Sequence, residues 1–439
     1  MPPTDDHHVI IPPPATPVSP EAAASPRPGL TGGNRVRLLA GGDEQFPAMC
    51  AAIAQARHQV WLATYIFHDD AAAQQVVQAL ADAARRGLWV AVVVDGFGSK
   101  ATLPKLQQWL EPAGVQLVVF RPVDRWWRLL QPGQLRRLHQ KLCVVDGHTG
   151  YVGGINLIDD RNDLNHGFSE APRLDFAVEV QGPLAAAIEQ TARAMWSRAA
   201  LGADWRDELV SLARSAEPVA RAKRMVGRLR ILPSNKNRKR GPPVADLPPV
   251  RAAFLVRDNL RQRRSIEHAY IEAIDSARER VEVMCPYFYP GRVFRRALER
   301  AALRGVQVRL LLQGKADYRF AALAAQVLYG ELLATGVRIF EYTPAFLHAK
   351  VALVDDDWAT VGSSNIDPLS LLLNLEANVI VRDLQFAADL ALRFEAAVQA
   401  SREVTQPPIG SGWWGTLRRG FVASTAYWFL RLAGMSGKY

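Results

Sequence analysis

Cysteine is nearly absent: Cys50, Cys143 and Cys285 are the only three in 439 residues. Three scattered thiols cannot build a disulfide framework or a zinc ribbon, and they suit a reducing compartment. Long apolar runs are missing as well. The nearest approach to an uncharged span, residues 420–430, is only 11 residues long, so no transmembrane helix is expected. Asp5, Asp6 and the run Pro12, Pro13, Pro14 stand where a signal peptide would need apolar residues, so none is expected there either. Acid is the scarcer charge, with 43 Asp and Glu against 53 Lys and Arg and a formal net charge of +10. Such an excess leaves nucleic acid, an anionic membrane surface or phosphate-bearing substrates as partners. What is present is an ordinary globular balance, 49% hydrophobic and 22% charged, in a chain long enough for two or three domains.

The periodicity divides the chain. Residues 1–33 are rich in Pro and Ala and poor in large apolar side chains, which fits a disordered leader. From Arg35 onward, residues 60–66 and 88–94 have the character of buried strands, with a helix predicted over 71–86 between them. After residue 251 the order returns, with strands over 281–284 and 306–312 around a helix over 292–303. The joints repeat too: Arg86-Gly87-Leu88 matches Arg304-Gly305-Val306, and Ala113-Gly114-Val115 matches Thr335-Gly336-Val337. Glycine there suits a left-handed helix C-cap. The chain is therefore an α/β protein containing an internal duplication, with domains expected over 34–217 and 251–405. Each should be a mostly parallel or mixed sheet flanked by helices. Between them, residues 218–251 hold ten Lys or Arg against the single acid Asp246, together with six prolines. Such a segment fits a solvated linker (218–250) or a basic arm for an anionic partner.

The chemistry sits on the duplication. His139, Lys141 and Asp146 form H-x-K-x4-D, followed by Gly153, Gly154 and Asn156. His348, Lys350 and Asp355 repeat the pattern, followed by Gly362, Ser363, Ser364 and Asn365. Glycine lies 14 and asparagine 17 residues after the histidine in both copies. With strands predicted over 138–145 and 347–354, each His and Lys point the same way, into one site, and Cys143 in the first strand is expected to be an inert buried thiol. Gly153 and Gly362 would leave a bare backbone for close substrate approach. Asn156 and Asn365 would add amide donors for phosphoryl oxygens. No carboxylate cluster is placed for Mg²⁺, so neither metal nor cofactor is expected, and the lysines would neutralise charge. An imidazole can attack phosphorus, and a second can shuttle the proton of the leaving and entering alcohols. Asp175 and Glu376, each opening the strand after its motif, are the candidates to orient the histidines. Asp146 and Asp355 precede turns, so a loop-fixing role competes with a catalytic one. Tyr65 and Tyr287 end strands near the expected site.

These paired signatures resemble the phospholipase D superfamily over roughly residues 35–400. Thr64-Tyr65-Ile66-Phe67, Val94-Asp95-Gly96-Phe97-Gly98, His139-Gln140-Lys141-Leu142, Val152-Gly153-Gly154-Ile155-Asn156, Val256-Arg257-Asp258-Asn259 and Pro286-Tyr287-Phe288 are similar to bacterial cardiolipin synthases, particularly the B type. The resemblance implies two pseudo-symmetric domains with one active site between them. It implies transfer of a phosphatidyl group from one phosphatidylglycerol to another with release of glycerol, with His139 as nucleophile and His348 as general acid/base. Gln140, where many relatives carry Arg, and Ser363, in place of a second Gly, depart from the pattern and bear on acceptor preference. A phospholipase D that hydrolyses, and a nuclease of the same superfamily, are the rival readings.

Residues 413–439 carry four basic residues and no acid, with Trp413, Leu417, Phe421, Trp428 and Leu432 at helical spacing. An interfacial membrane helix within a C-terminal segment 406–439 is the expectation. Linker and tail together hold more positive charge than the whole chain's net, so the two domains are slightly acidic. That distribution favours an enzyme held at an anionic membrane over one that tracks nucleic acid. The expected place is peripheral, on the cytoplasmic side of a bacterial inner membrane.

Overall fold

The computed structural model describes residues 29–123, 136–164, 166–200, 250–257, 262, 264–315, 319–367 and 374–406. The first half runs β1 (Thr31–Ala40), α1 (Gly41–Ala54), β2 (Gln59–Thr64), α2 (Ala71–Arg85), β3 (Trp89–Asp95), α3 (Leu103–Leu110) and β4 (Gln116–Phe120). It continues through β5 (Leu142–Val145), β6 (Thr149–Gly153), a small hairpin of β7 (Asn162–Asp163) and β8 (Gly167–Phe168), then β9 (Phe176–Gln181) and α4 (Leu184–Ala200). The second half repeats this order: β10 (Val250–Arg257), α5 (Ser265–Ser276), β11 (Arg280–Cys285), α6 (Arg292–Leu303), β12 (Gln307–Gln313), α7 (Arg319–Ala334) and β13 (Arg338–Tyr342). There follow β14 (Val351–Val354), β15 (Trp358–Gly362), β16 (Glu376–Arg382), α8 (Leu384–Gln399) and an added edge strand β17 (Ser401–Val404). The expected leader, linker and C-terminal segment fall almost wholly outside the described residues, although β1 already begins at Thr31.

Local sequence explains the elements. All of β2 and all of β3 beyond Trp89 are buried, as their unbroken apolar runs require of strands covered on both faces. Asp70 caps α2 by accepting the Ala73 amide at 2.9 Å. Gly87 and Gly305 take φ values of 86° and 88°, and Gly114 and Gly336 both 91°, so the duplicated joints are duplicated left-handed turns.

Among the described residues fifteen strands align in the order β17-β13-β12-β11-β14-β15-β16-β10-β1-β9-β6-β5-β2-β3-β4. Read outward from the central β10–β1 junction, the two halves match strand for strand. Pairing is parallel for β2–β3–β4 and β11–β12–β13 and antiparallel elsewhere, so each sheet is mixed rather than mostly parallel. One apolar cluster lies between the halves. It draws on Leu138, Val152 and Val178 from the first and Leu347, Val361 and Val379 from the second, with Ile188 of α4 and Leu390 of α8. This shared core holds the two motifs against each other.

Candidate active site

The expected strands over 138–145 and 347–354 are shorter than the sequence suggests. Regular pairing starts at Leu142 and Val351, and the motif His and Lys occupy extended lead-ins that leave their own sheets. Leu138 forms a parallel bridge to Leu375, and Leu347 one to Leu174. The His139 amide donates to Leu375 O at 3.0 Å, and the His348 amide to Leu174 O at 2.8 Å. Each lead-in therefore joins the other half, because its apolar residue is buried in the core between them.

That register decides the histidine partners. Leu375 precedes Glu376 and Leu174 precedes Asp175, so each carboxylate lands beside the histidine of the opposite motif. His139 Nδ1 lies 3.0 Å from Glu376 Oε2, and His348 Nδ1 lies 2.5 Å from Asp175 Oδ2. Asp175 and Glu376 are thus the hydrogen-bond partners of the two histidines, in crossed pairs. Gln140 crosses as well, donating to Glu376 O at 3.0 Å, which makes it a support for that carboxylate.

The two halves support their carboxylates differently. Ser363 Oγ donates to Glu376 Oε2 at 2.6 Å and accepts the Ala377 amide. The equivalent position is Gly154, where a Cβ would collide with Asp175 Oδ1. Serine here is thus a second donor to the acid behind His139, a role its glycine-for-serine exchange did not reveal in sequence. Burial alone would raise the Glu376 carboxyl, but His139, Lys141 and Ser363 outweigh it and hold it below the usual range. Burial pushes Asp175 up to about 7, the charges of Lys350 and Lys141 notwithstanding.

Lys141 Nζ donates to His139 O at 2.9 Å, and Lys350 Nζ to His348 O. Burial, reinforced by the Lys350 charge, lowers Lys141 to about 7, and burial likewise lowers Lys350. Both imidazoles are pushed below their ordinary value, first by burial. His348 also feels Lys350, Arg173, Lys141 and His139, which shows that the groups of both motifs converge. The Tyr65 ring stands edge-on to His139 at 5.0 Å, with Lys141 Nζ 5.7 Å from its centre; the position equivalent to Tyr65 is Pro286. Asn156 and Asn365 are buried nearby. Asn156 Oδ1 accepts the Ile66 amide at 3.4 Å, and its Nδ2 makes no hydrogen bond among the described residues.

Two sequence expectations are corrected. Asp146 and Asp355 are not at the imidazoles: each lies beyond the far end of its strand in the left-handed region, with φ of 52° and 51°. Asp146 accepts the amides of Arg57, His58 and Gln59, and Asp355 those of Arg278, Glu279 and Arg280. They clamp a turn to the neighbouring strand, so their role is structural. Gly153 and Gly362 do not open space for substrate, because a Cβ on Gly153 would meet Ala177 and one on Gly362 would meet Asn378. Their bareness lets adjacent strands pack. Arg257 is buried and donates to Asn374 O. As expected, Cys143 is a buried core thiol, raised by burial.

Against known proteins, the family described as "Cardiolipin synthase, PLD-like domain" matches residues 49–169 and 270–398, one copy in each half. Cardiolipin synthase B of Escherichia coli (strain K12) is 35% identical over 404 residues, 91% of this chain and 88% of that one. Cardiolipin synthase A of Pseudomonas fluorescens (strain SBW25) is 34% identical over 381 residues, covering 84% and 71% of the two chains. The crystal structure of phosphatidylserine synthase from Haemophilus influenzae Rd KW20 superposes with a TM-score of 0.62 over 94% of this chain and 98% of that one. Its 13% identity speaks for the fold alone.

Proposed function

The chain belongs to the cardiolipin synthases built on phospholipase D-like domains, and from that premise we propose that His139 and His348 pass a phosphatidyl group between two phosphatidylglycerols. The enzyme is a phospholipid phosphatidyltransferase. The observation that carries the mechanism is the crossed His–carboxylate pairing with unequal carboxylates. Glu376, kept ionised, takes a hydrogen bond from His139 Nδ1–H and leaves the lone pair on Nε2 exposed as a nucleophile. Asp175, raised to about 7, and His348 hold one proton between them. His348 Nε2–H can then protonate a leaving group while Asp175 resupplies Nδ1.

In the first step His139 Nε2 bonds to the phosphorus of phosphatidylglycerol, the phosphorus–glycerol oxygen bond breaks, and His348 protonates the departing glycerol. In the second step the hydroxyl of another phosphatidylglycerol gives its proton to His348 and bonds to phosphorus as the P–N bond breaks. Cardiolipin leaves and both histidines return to their starting forms. Lys141 and Lys350, with Asn156 and Asn365, stabilise the phosphoryl oxygens.

The substrates place the enzyme at an anionic bilayer, and among the described residues no helix is long and apolar enough to cross a membrane. Peripheral attachment at the cytoplasmic face through residues 413–439, which lie outside the described residues, fits their basic and aromatic composition. One assay reads both proposals. The purified chain is mixed with vesicles of labelled phosphatidylglycerol, sedimented, and the products are weighed by mass spectrometry. Cardiolipin and glycerol are expected, with protein in the pellet. Phosphatidic acid as sole product would mean hydrolysis, and protein left in the supernatant would refute attachment.

A further inference from the structure

Cardiolipin synthesis brings two phosphodiesters into one site. The motif groups account for the donor phosphate under attack, while the acceptor phosphatidylglycerol carries an anion of its own beside the hydroxyl that reacts. Arg137 lies two residues before His139 on the same extended lead-in, and Leu138 between them turns into the core. Alternation places Arg137 and His139 on one face, with Cα atoms roughly 7 Å apart. The three-carbon bridge between the phosphates of cardiolipin spans a comparable distance.

The Arg137 side chain is only 10% exposed, yet its donors are poorly used. Nη1 donates to Arg121 O at 3.3 Å and lies 3.8 Å from Asp95 Oδ1. Nη2 is buried with no hydrogen-bond partner. Asp95 accepts the amides of Phe97 at 2.8 Å, Gly98 at 3.2 Å and Leu138 at 2.9 Å, and Arg137 is the charge that most opposes the upward push of burial on its carboxyl. The guanidinium rests 5.4 Å from the centre of the Phe97 ring, and that ring is half exposed. Asp95 is the counter-charge on the Nη1 side, but the buried Nη2 donor stays costly unless an acceptor joins it.

In the second half the cation of this pair comes from the other partner: Lys315, at the position matching Phe97, stands 5.8 Å from the centre of the Phe346 ring, is exposed and donates to Pro344 O at 3.1 Å. There the position two before the histidine is Phe346, stacked 5.0 Å from His166, and the strand-end residue matching Asp95 is Gln313. Gln313 holds the Leu347 amide at 3.2 Å, the task Asp95 performs at Leu138. The duplicated positions thus share the backbone role, but only the first half buries the cation and leaves one of its donors without a partner.

We propose that Arg137 is the acceptor subsite, binding the phosphodiester of the second phosphatidylglycerol so that its free hydroxyl faces the phosphohistidine. The inference rests on the transferase reading above. It makes Arg137 a determinant of the choice between a lipid acceptor and a small neutral alcohol.

The test compares two acceptors within one reaction. Wild-type and Arg137→Gln enzymes receive phosphatidylglycerol vesicles and labelled glycerol. Cardiolipin formation reports the anionic acceptor, and labelled glycerol entering phosphatidylglycerol reports the neutral one. Both products use the same donor and the same phosphohistidine, so their ratio is independent of how much enzyme is folded. Losing one charge-assisted contact is expected to lower the cardiolipin-to-exchange ratio by roughly tenfold or more. Arg137→Lys, which keeps the charge, should restore part of the ratio. A ratio within twofold of wild type in Arg137→Gln would overturn the proposal and leave Arg137 as a support for Asp95. Wild-type enzyme yielding neither product would instead refute the transferase reading itself.

Discussion

Lys141 is a cation that its buried surroundings hold only weakly. Burial and the nearby Lys350 bring its ammonium down to about 7, so in the free enzyme it is half discharged near neutrality. An arriving phosphodiester stabilises the protonated form, and binding must then take up a proton as pH rises past that value. The sign follows: affinity for an anion is full below about pH 7 and falls above it, by up to tenfold per pH unit until the bound form itself titrates. A soluble phosphodiester such as dibutyl phosphate keeps its charge over this range. Its inhibition constant, measured from pH 6 to 9, should rise with pH, and Lys141→Met should flatten the curve. An inhibition constant that is constant with pH would remove Lys141 from phosphate binding. Residue chemistry of this kind was largely legible in the sequence, because H-x-K at alternating positions demands a shared face. Gln140 and Ser363 stood out only as departures from the pattern, and Arg137 not at all, since their partners, Glu376 O and Oε2 and the Asp95 turn, lie far along the chain.

At the level of strands and turns, the motif separates into two jobs. The lead-in carries chemistry, and the aspartate after the strand carries architecture. Asp146 satisfies three successive amides at the start of β2 while holding a left-handed backbone, and Asp355 does the same for β11. Asp146→Ala should therefore lower stability by about 1–3 kcal/mol, measured by denaturant unfolding, because several amides lose their acceptor. Turnover per folded molecule should stay within a few-fold of wild type. A thousandfold loss in a fully folded Asp146→Ala protein would restore the catalytic role. Strands and helices were mostly visible from periodicity and from the doubled glycine joints. The shortened strands at the motifs were not, since leaving one's own sheet at Leu138 or Leu347 is fixed by the opposite half. No local signal encodes that.

For the whole molecule, duplication produces a single site that neither half contains. Each histidine is oriented by a carboxylate about half the chain away, through backbone bridges 138–375 and 347–174. The pairing can be read by following imidazole titration by NMR. Asp175→Asn should move the titration of His348 by a unit or more and leave His139 nearly in place, while Glu376→Gln should do the reverse; the opposite pattern would mean uncrossed pairs. Two copies of one fold have thereby become unequal partners, with the carboxyl beside His139 held below its usual range and the one beside His348 pushed up to about 7, the asymmetry on which the proposed roles rest. The most direct test is to find the covalent intermediate. Enzyme quenched during turnover of phosphate-labelled phosphatidylglycerol should carry an acid-labile, base-stable phosphohistidine on a peptide containing His139, and His139→Ala should carry none. Label at His348, or cardiolipin made at full rate with no labelled protein, would contradict the assignment.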